Sequence, residues 1–81
     1  MPLYFFHLRT GEHLDKDTFG VDLPDLDHAR FEAIRAFADL LWDAALTGQT
    51  LRGESFEISD QEERPVLTVR FDTLLGRTGT G

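Results

Sequence analysis

Eighty-one residues carry fifteen acids against eight bases, a formal net charge of −7, and no cysteine. That length allows one domain with one modest core, and the missing thiols exclude disulfides, thiolate nucleophiles and Cys-ligated zinc. An apolar content of 41% that includes seven Phe, one Tyr and one Trp is too rich for disorder, so a folded domain is expected over residues 1–75, with a flexible tail at 76–81.

The charge also sorts partners. Lys16 and the scattered arginines give no basic cluster, and counterion release needs one, so autonomous binding to nucleic acid or anionic lipid is not expected. The most apolar stretch, Ala33 to Leu46, is broken by Arg35, Asp39 and Asp43, which argues against a membrane span. The first residues lack the basic region of a signal peptide. Small secreted domains usually need disulfide staples, so a cytoplasmic location is expected.

Leu3 to Arg9, rich in Tyr and Phe, reads as a first strand. Thr10-Gly11-Glu12 reads as a three-residue hairpin loop, which sets Leu8 opposite Leu14, Arg9 opposite His13 and His7 opposite Asp15. The second strand starts near His13, breaks around Asp17-Thr18-Phe19-Gly20 and resumes at Val21-Asp22-Leu23. Pro24 stops it, and Asp25 or Asp27 caps a helix that runs to Leu46 or Thr47, with Gly48 closing it. Glu54 to Ser59 alternates as a third strand, Asp60 to Arg64 turns, and Pro65 to Phe71 makes a fourth.

Strand parity collects Tyr4, Phe6, Leu8, Phe19, Val21, Leu23, Phe56, Ile58, Leu67, Val69 and Phe71 on one face. Phe5, His7, Arg9, Asp22, Ser55, Glu57, Ser59, Thr68 and Arg70 share the other. One greasy face and one mostly wet face describe an antiparallel sheet covered once. The expected class is α+β, ββαββ, with one helix on a four-stranded sheet. On the helix, Ala33, Ile34, Phe37, Leu40, Leu41 and Ala44 should face the core. His28, Glu32, Arg35, Asp39 and Asp43 form a polar stripe in which Arg35 and Asp39 can pair. Phe31, Ala38 and Trp42 fall on a flank.

Few residues suggest chemistry. Asp15, Asp17 and Gly20 fit positions one, three and six of an EF-hand loop, but Phe19 and Leu26 stand where two ligands are needed, so they read as turn residues. His7 opposite Asp15 would make the carboxylate-oriented imidazole used by general bases and metal ligands, or a plain cross-strand polar pair. No metal, cofactor or catalytic residue is assigned. Ser55 and Ser59 lack a nucleophile elbow, and the glycines are dispersed as turn punctuation. The flank of Phe31, Ala38 and Trp42 is either roofed by Leu74, Leu75 or a sheet edge, or is a surface for a partner or for self-association.

The runs Tyr4-Phe5-Phe6-His7-Leu8-Arg9, Gly20-Val21-Asp22-Leu23-Pro24-Asp25-Leu26 and Ser55-Phe56-Glu57-Ile58, with the Ala- and Arg-rich helix between them, resemble a small uncharacterised domain of rhizobial and related alphaproteobacteria. The resemblance extends to about Phe71 and implies no activity. A looser likeness is to the N-terminal domain of HicB-type antitoxins, through the hairpin, the Pro-Asp-Leu segment and the Ala-rich helix. The Gly-Cys stretch and DNA-binding tail of those proteins are not present. Taken together, a non-catalytic protein-interaction or regulatory module is expected, with a homodimer among its forms and Phe5, His7, Asp15, Phe31 and Trp42 as candidate contacts. The alternatives are an antitoxin-like or nucleic-acid-mimicking inhibitor of a basic protein site and, last, a His-based or metal-dependent enzyme.

Overall fold

The computed structural model describes residues 2–51 and 53–79. The elements are β1 (Leu3–Thr10), β2 (His13–Asp15), β3 (Val21–Asp22), α1 (Leu26–Thr47), β4 (Glu54–Asp60), β5 (Pro65–Arg70) and α2 (Phe71–Gly79). All strand pairings are antiparallel, in the order β2-β1-β4-β5, and β3 pairs with β1 beside β2. β2 and β3 are therefore one interrupted strand, broken where the Asp17-to-Gly20 turn was expected. The α+β class with one main helix on an antiparallel sheet holds, with the short α2 added at the end of β5.

The α1 boundaries follow from its caps. Asp25 is extended and its Oδ1 accepts the His28 N–H at 3.0 Å, while Gly48 takes the left-handed conformation at φ 79°. Ala29 and Ala33 are fully buried, and such small side chains let the helix backbone approach the sheet. The rings of Phe37, Phe56 and Phe71 fill the space between. Phe71 lies 4.6 Å from Phe37 and 5.3 Å from Phe56 by ring centroid, tilted in both pairs. Tyr4, Ile58 and Val69 complete the buried cluster, with Phe6, Leu8, Leu23 and Leu67 packed against it as parity required.

Several expectations change. β1 continues to Thr10, so the hairpin loop is Gly11-Glu12 rather than three residues, with Gly11 at φ 63°. The register becomes Leu8 opposite Asp15, Arg9 opposite Leu14 and Thr10 opposite His13. A shift of one residue sends each β2 side chain to the other face, and Leu14 turns to the open side. Phe19 is 90% exposed and Val21 is partly exposed, because the strand break carries Phe19 out of the ladder and Val21 sits on the outer edge. Ile34 and Leu41 are partly exposed on the side of α1 instead of buried beneath it. Arg35 bonds Glu32 at 3.2 Å in place of Asp39. Phe71 leaves the sheet and starts α2, which runs to Gly79, into the segment expected as a tail; Thr80 and Gly81 lie outside the described residues. No helix among the described residues is long and apolar enough to cross a membrane.

Candidate functional site

At the edge of β1, in the gap between its pairings with β2 and β3, the connection between those strands lines the open face, and one residue holds it. The Asp17 carboxylate accepts the Phe6 N–H at 3.1 Å through Oδ2, and the Phe19 and Gly20 N–H groups at 3.0 and 3.3 Å through Oδ1. The Asp17 N–H in turn donates to His7 Nδ1 at 3.0 Å. Burial on its own pushes the Asp17 carboxyl up, but the backbone donors outweigh it and hold the group below the usual carboxylate range. The ring nitrogen that accepts carries no proton, so the neutral imidazole is protonated at Nε2.

This arrangement corrects the reading of His7. Asp15 is opposite Leu8, one residue out of register, and its Oδ1 meets His13 Nε2 at 3.0 Å. The carboxylate–imidazole pair of His7 and Asp15 does not form. His7 instead clasps a backbone amide and lies opposite Glu57 on β4.

Phe5, His7, Glu57 and Ser59 floor a cleft of about 480 Å³, walled by Leu14, Lys16, Asp17 and Thr18 on one side and by Asp60, Gln61 and Glu63 on the other. Its carboxylates are mostly engaged. Glu57 accepts a forked pair of bonds from Arg9 at 2.9 and 3.4 Å, which lowers the Glu57 pKa and raises that of Arg9. Asp60 accepts the Arg64 and Glu62 N–H groups, both at 2.9 Å, and the Arg64 guanidinium at 3.0 Å. The backbone bond from Arg64 is the largest cause of its lowered pKa. Among the described residues no cluster of three or more His, Cys, Asp or Glu is arranged to hold a metal ion. The cleft offers shape, an aromatic floor at Phe5 and an excess of acids.

The second candidate lies on α1. Phe31, Trp42 and Leu46 are 72%, 69% and 70% exposed, and at 100° per residue the first two point almost directly away from the sheet. Leu74 and Leu75 do not roof them; both pack against the buried core cluster. Ala38 and Ala45, also exposed, with Ile34 and Leu41, extend the apolar arc from the outward face round to the flank of the helix. On that flank, Ile34 and Arg30 share a groove of about 390 Å³ with Thr68, Val69 and Leu74.

A family model described as a domain of unknown function (DUF6894) matches residues 3–72. The chain belongs to this family. No curated protein and no solved structure shows a significant match to it. The matched stretch of the DUF6894 domain takes in β1 to β5, all of α1 and the start of α2, and so contains the open-face cleft and the exposed strip of α1.

Sequence reasoning placed Phe5 and His7 on the open face and missed Asp17 as the residue that closes it. The available signal was an Asp followed three residues later by Gly, a pattern in which the side chain caps backbone amides of its own turn. Gly20 ends that turn at φ 75°, and a Cβ there would lie 3.0 Å from the Phe5 ring and 3.3 Å from Leu3. Gly20→Ala in this DUF6894 domain is expected to cost about 2–3 kcal/mol in urea unfolding, against about 1 kcal/mol for Gly53→Ala. Gly53 shares the positive φ but has open space around it. Equal losses at the two sites would rule out the close approach as the reason for Gly20.

Proposed function

We propose that this domain is a non-catalytic protein-interaction or regulatory module of the cytoplasm that engages a protein partner through the apolar outer face of α1. The observation that carries the reading is the exposure of Phe31, Trp42 and Leu46 together on one 22-residue helix. Single exposed apolar residues are ordinary, whereas a contiguous aromatic and aliphatic strip invites burial. Aromatic anchors of this kind supply a disproportionate share of interface energy.

Trp42 is the sole tryptophan, so its emission reports on this surface alone. Titrating the chain with itself, and with proteins encoded by neighbouring genes, should shift that emission to the blue as the indole leaves water. Phe31→Ser should weaken the association at least tenfold while the circular-dichroism melt stays within a few degrees of the parent. An emission maximum that never moves, or a Phe31→Ser variant that associates as well as the parent, counts against the reading.

A second reading is supported by the acid-lined cleft. Asp17, Glu57, Asp60 and Glu63 around the Phe5 ring favour a basic segment of a partner, in keeping with the likeness to HicB-type antitoxins. Such binding would weaken as salt rises. Binding through the helix strip would respond far less.

A further inference from the structure

We propose that the occupant of the β5 side of this surface is a second copy of the chain, paired antiparallel along β5 about a two-fold axis so that one sheet runs through both copies. The proposal rests on the reading of α1 as an interaction surface and names its partner.

The two edges of the sheet are unlike. One is formed by β2 and β3, of three and two residues, interrupted by the loop that Asp17 folds inward. Short, broken edges template nothing. The other is β5, six residues long and paired on one side only, with β4. Pro65 removes a donor at its first position, but Val66-Leu67-Thr68-Val69 contains no proline and no charge to discourage a neighbour. Among the described residues no other strand pairs with it.

The apolar flank of α1 lies on this same side. The groove containing Ile34, Thr68, Val69 and Leu74 joins helix to strand, so a chain added at β5 also meets the Ile34–Leu41 flank. A peptide strand alone would pair with the edge and leave that flank wet. A second copy brings its own α1 to the same face of the extended sheet and covers both at once.

Charge selects the orientation. In the turn before β5, Arg64 pairs with Asp60 and Glu62 and leaves Glu63 outside those pairs, whereas the far end carries Arg70, bonded to Asp72 at 2.8 Å, with Arg30 of α1 across the groove. Antiparallel doubling sets the basic end of one copy against the acidic end of the other, and a two-fold axis makes that contact twice. A parallel arrangement would set like against like.

Sedimentation equilibrium of the full chain over a wide concentration range tests the proposal, with a mass of twice the 9.2 kDa chain expected. Arg70→Glu and Glu63→Arg should each weaken the dimer at least tenfold, and the double variant should recover most of the loss. Far-UV circular dichroism of each variant as a monomer verifies that it folds. A monomer at every concentration, or a dimer indifferent to both charges, overturns the proposal. If the monomer nonetheless blue-shifts Trp42 with another protein, self-pairing alone fails and the interaction reading stands. If Phe31→Ser leaves partner binding unchanged while the charge variants break the dimer, the reading of the outer α1 face fails and the β5 pairing stands.

Discussion

Replacing Phe71 by alanine is expected to lower the unfolding free energy by about 3–5 kcal/mol. The ring is fully buried and sits between those of Phe37 and Phe56, at the junction where β5 becomes α2. Its removal deletes contacts to α1 and to the sheet at once, and neither ring can follow it without leaving its own site. A domain of this size holds only about 4–12 kcal/mol in total, so the loss removes about a quarter of it or more. Urea unfolding followed by far-UV circular dichroism measures the loss. Phe19→Ala is the control, because that ring is exposed and should change stability by no more than about 0.5 kcal/mol. Similar losses for both phenylalanines would mean that the core is not organised around Phe71.

The second large effect is expected at Asp17. Asp17→Ala removes the acceptor of three backbone N–H groups, from Phe6, Phe19 and Gly20, and should cost about 2–3 kcal/mol. The β2–β3 connection should then lift from the open face, with faster amide exchange at Phe6, Phe19 and Gly20. Acid should act in the same direction. The folded carboxyl titrates below its usual value of 3.8, so the unfolded chain takes up the proton first as pH falls. The stability contributed by Asp17 is complete above that unfolded value and is lost as pH falls through the lower folded one. Glu57, Asp25 and Asp60 are shifted in the same sense, so the parent should weaken steeply in acid. The Asp17→Ala variant should weaken less steeply. Parallel acid profiles would show that the carboxylate does not hold the loop.

These two residues also mark how far the sequence could be read. Phe19 and Phe71 share one parity with the other core residues, and nothing in alternation separates the exposed ring from the buried one. The difference arises from the strand break at Asp17 and from the start of α2, which are both three-dimensional events. His7 was legible as a residue of the open face, but its partner was not. A hairpin loop shorter by one residue moved Asp15 away and left the imidazole to a backbone amide from beyond the break. The aromatic flank was legible as an anomaly on α1. Whether Leu74 and Leu75 would cover it depended on where α2 turned, and it turned into the core.

Composition and periodicity by themselves determined a cysteine-free acidic α+β domain, its one long helix with an Asp cap and a Gly stop, and the two faces of its sheet. Those properties are local, because spacing and caps act within a few residues of chain. Tertiary structure alone decided the hairpin register, the Asp17 clasp, the burial of Phe71, the exposure of Trp42 and the place of β5 at the sheet edge. Each of these depends on which distant segment arrives at a given surface, and neighbouring residues carry no record of that. The net charge of −7 belongs to both levels: the sequence supplies it, and the fold sets Asp17, Glu57, Asp60 and Glu63 around the open-face cleft while Arg30 and the Arg70–Asp72 pair lie at the far end of the β5 edge.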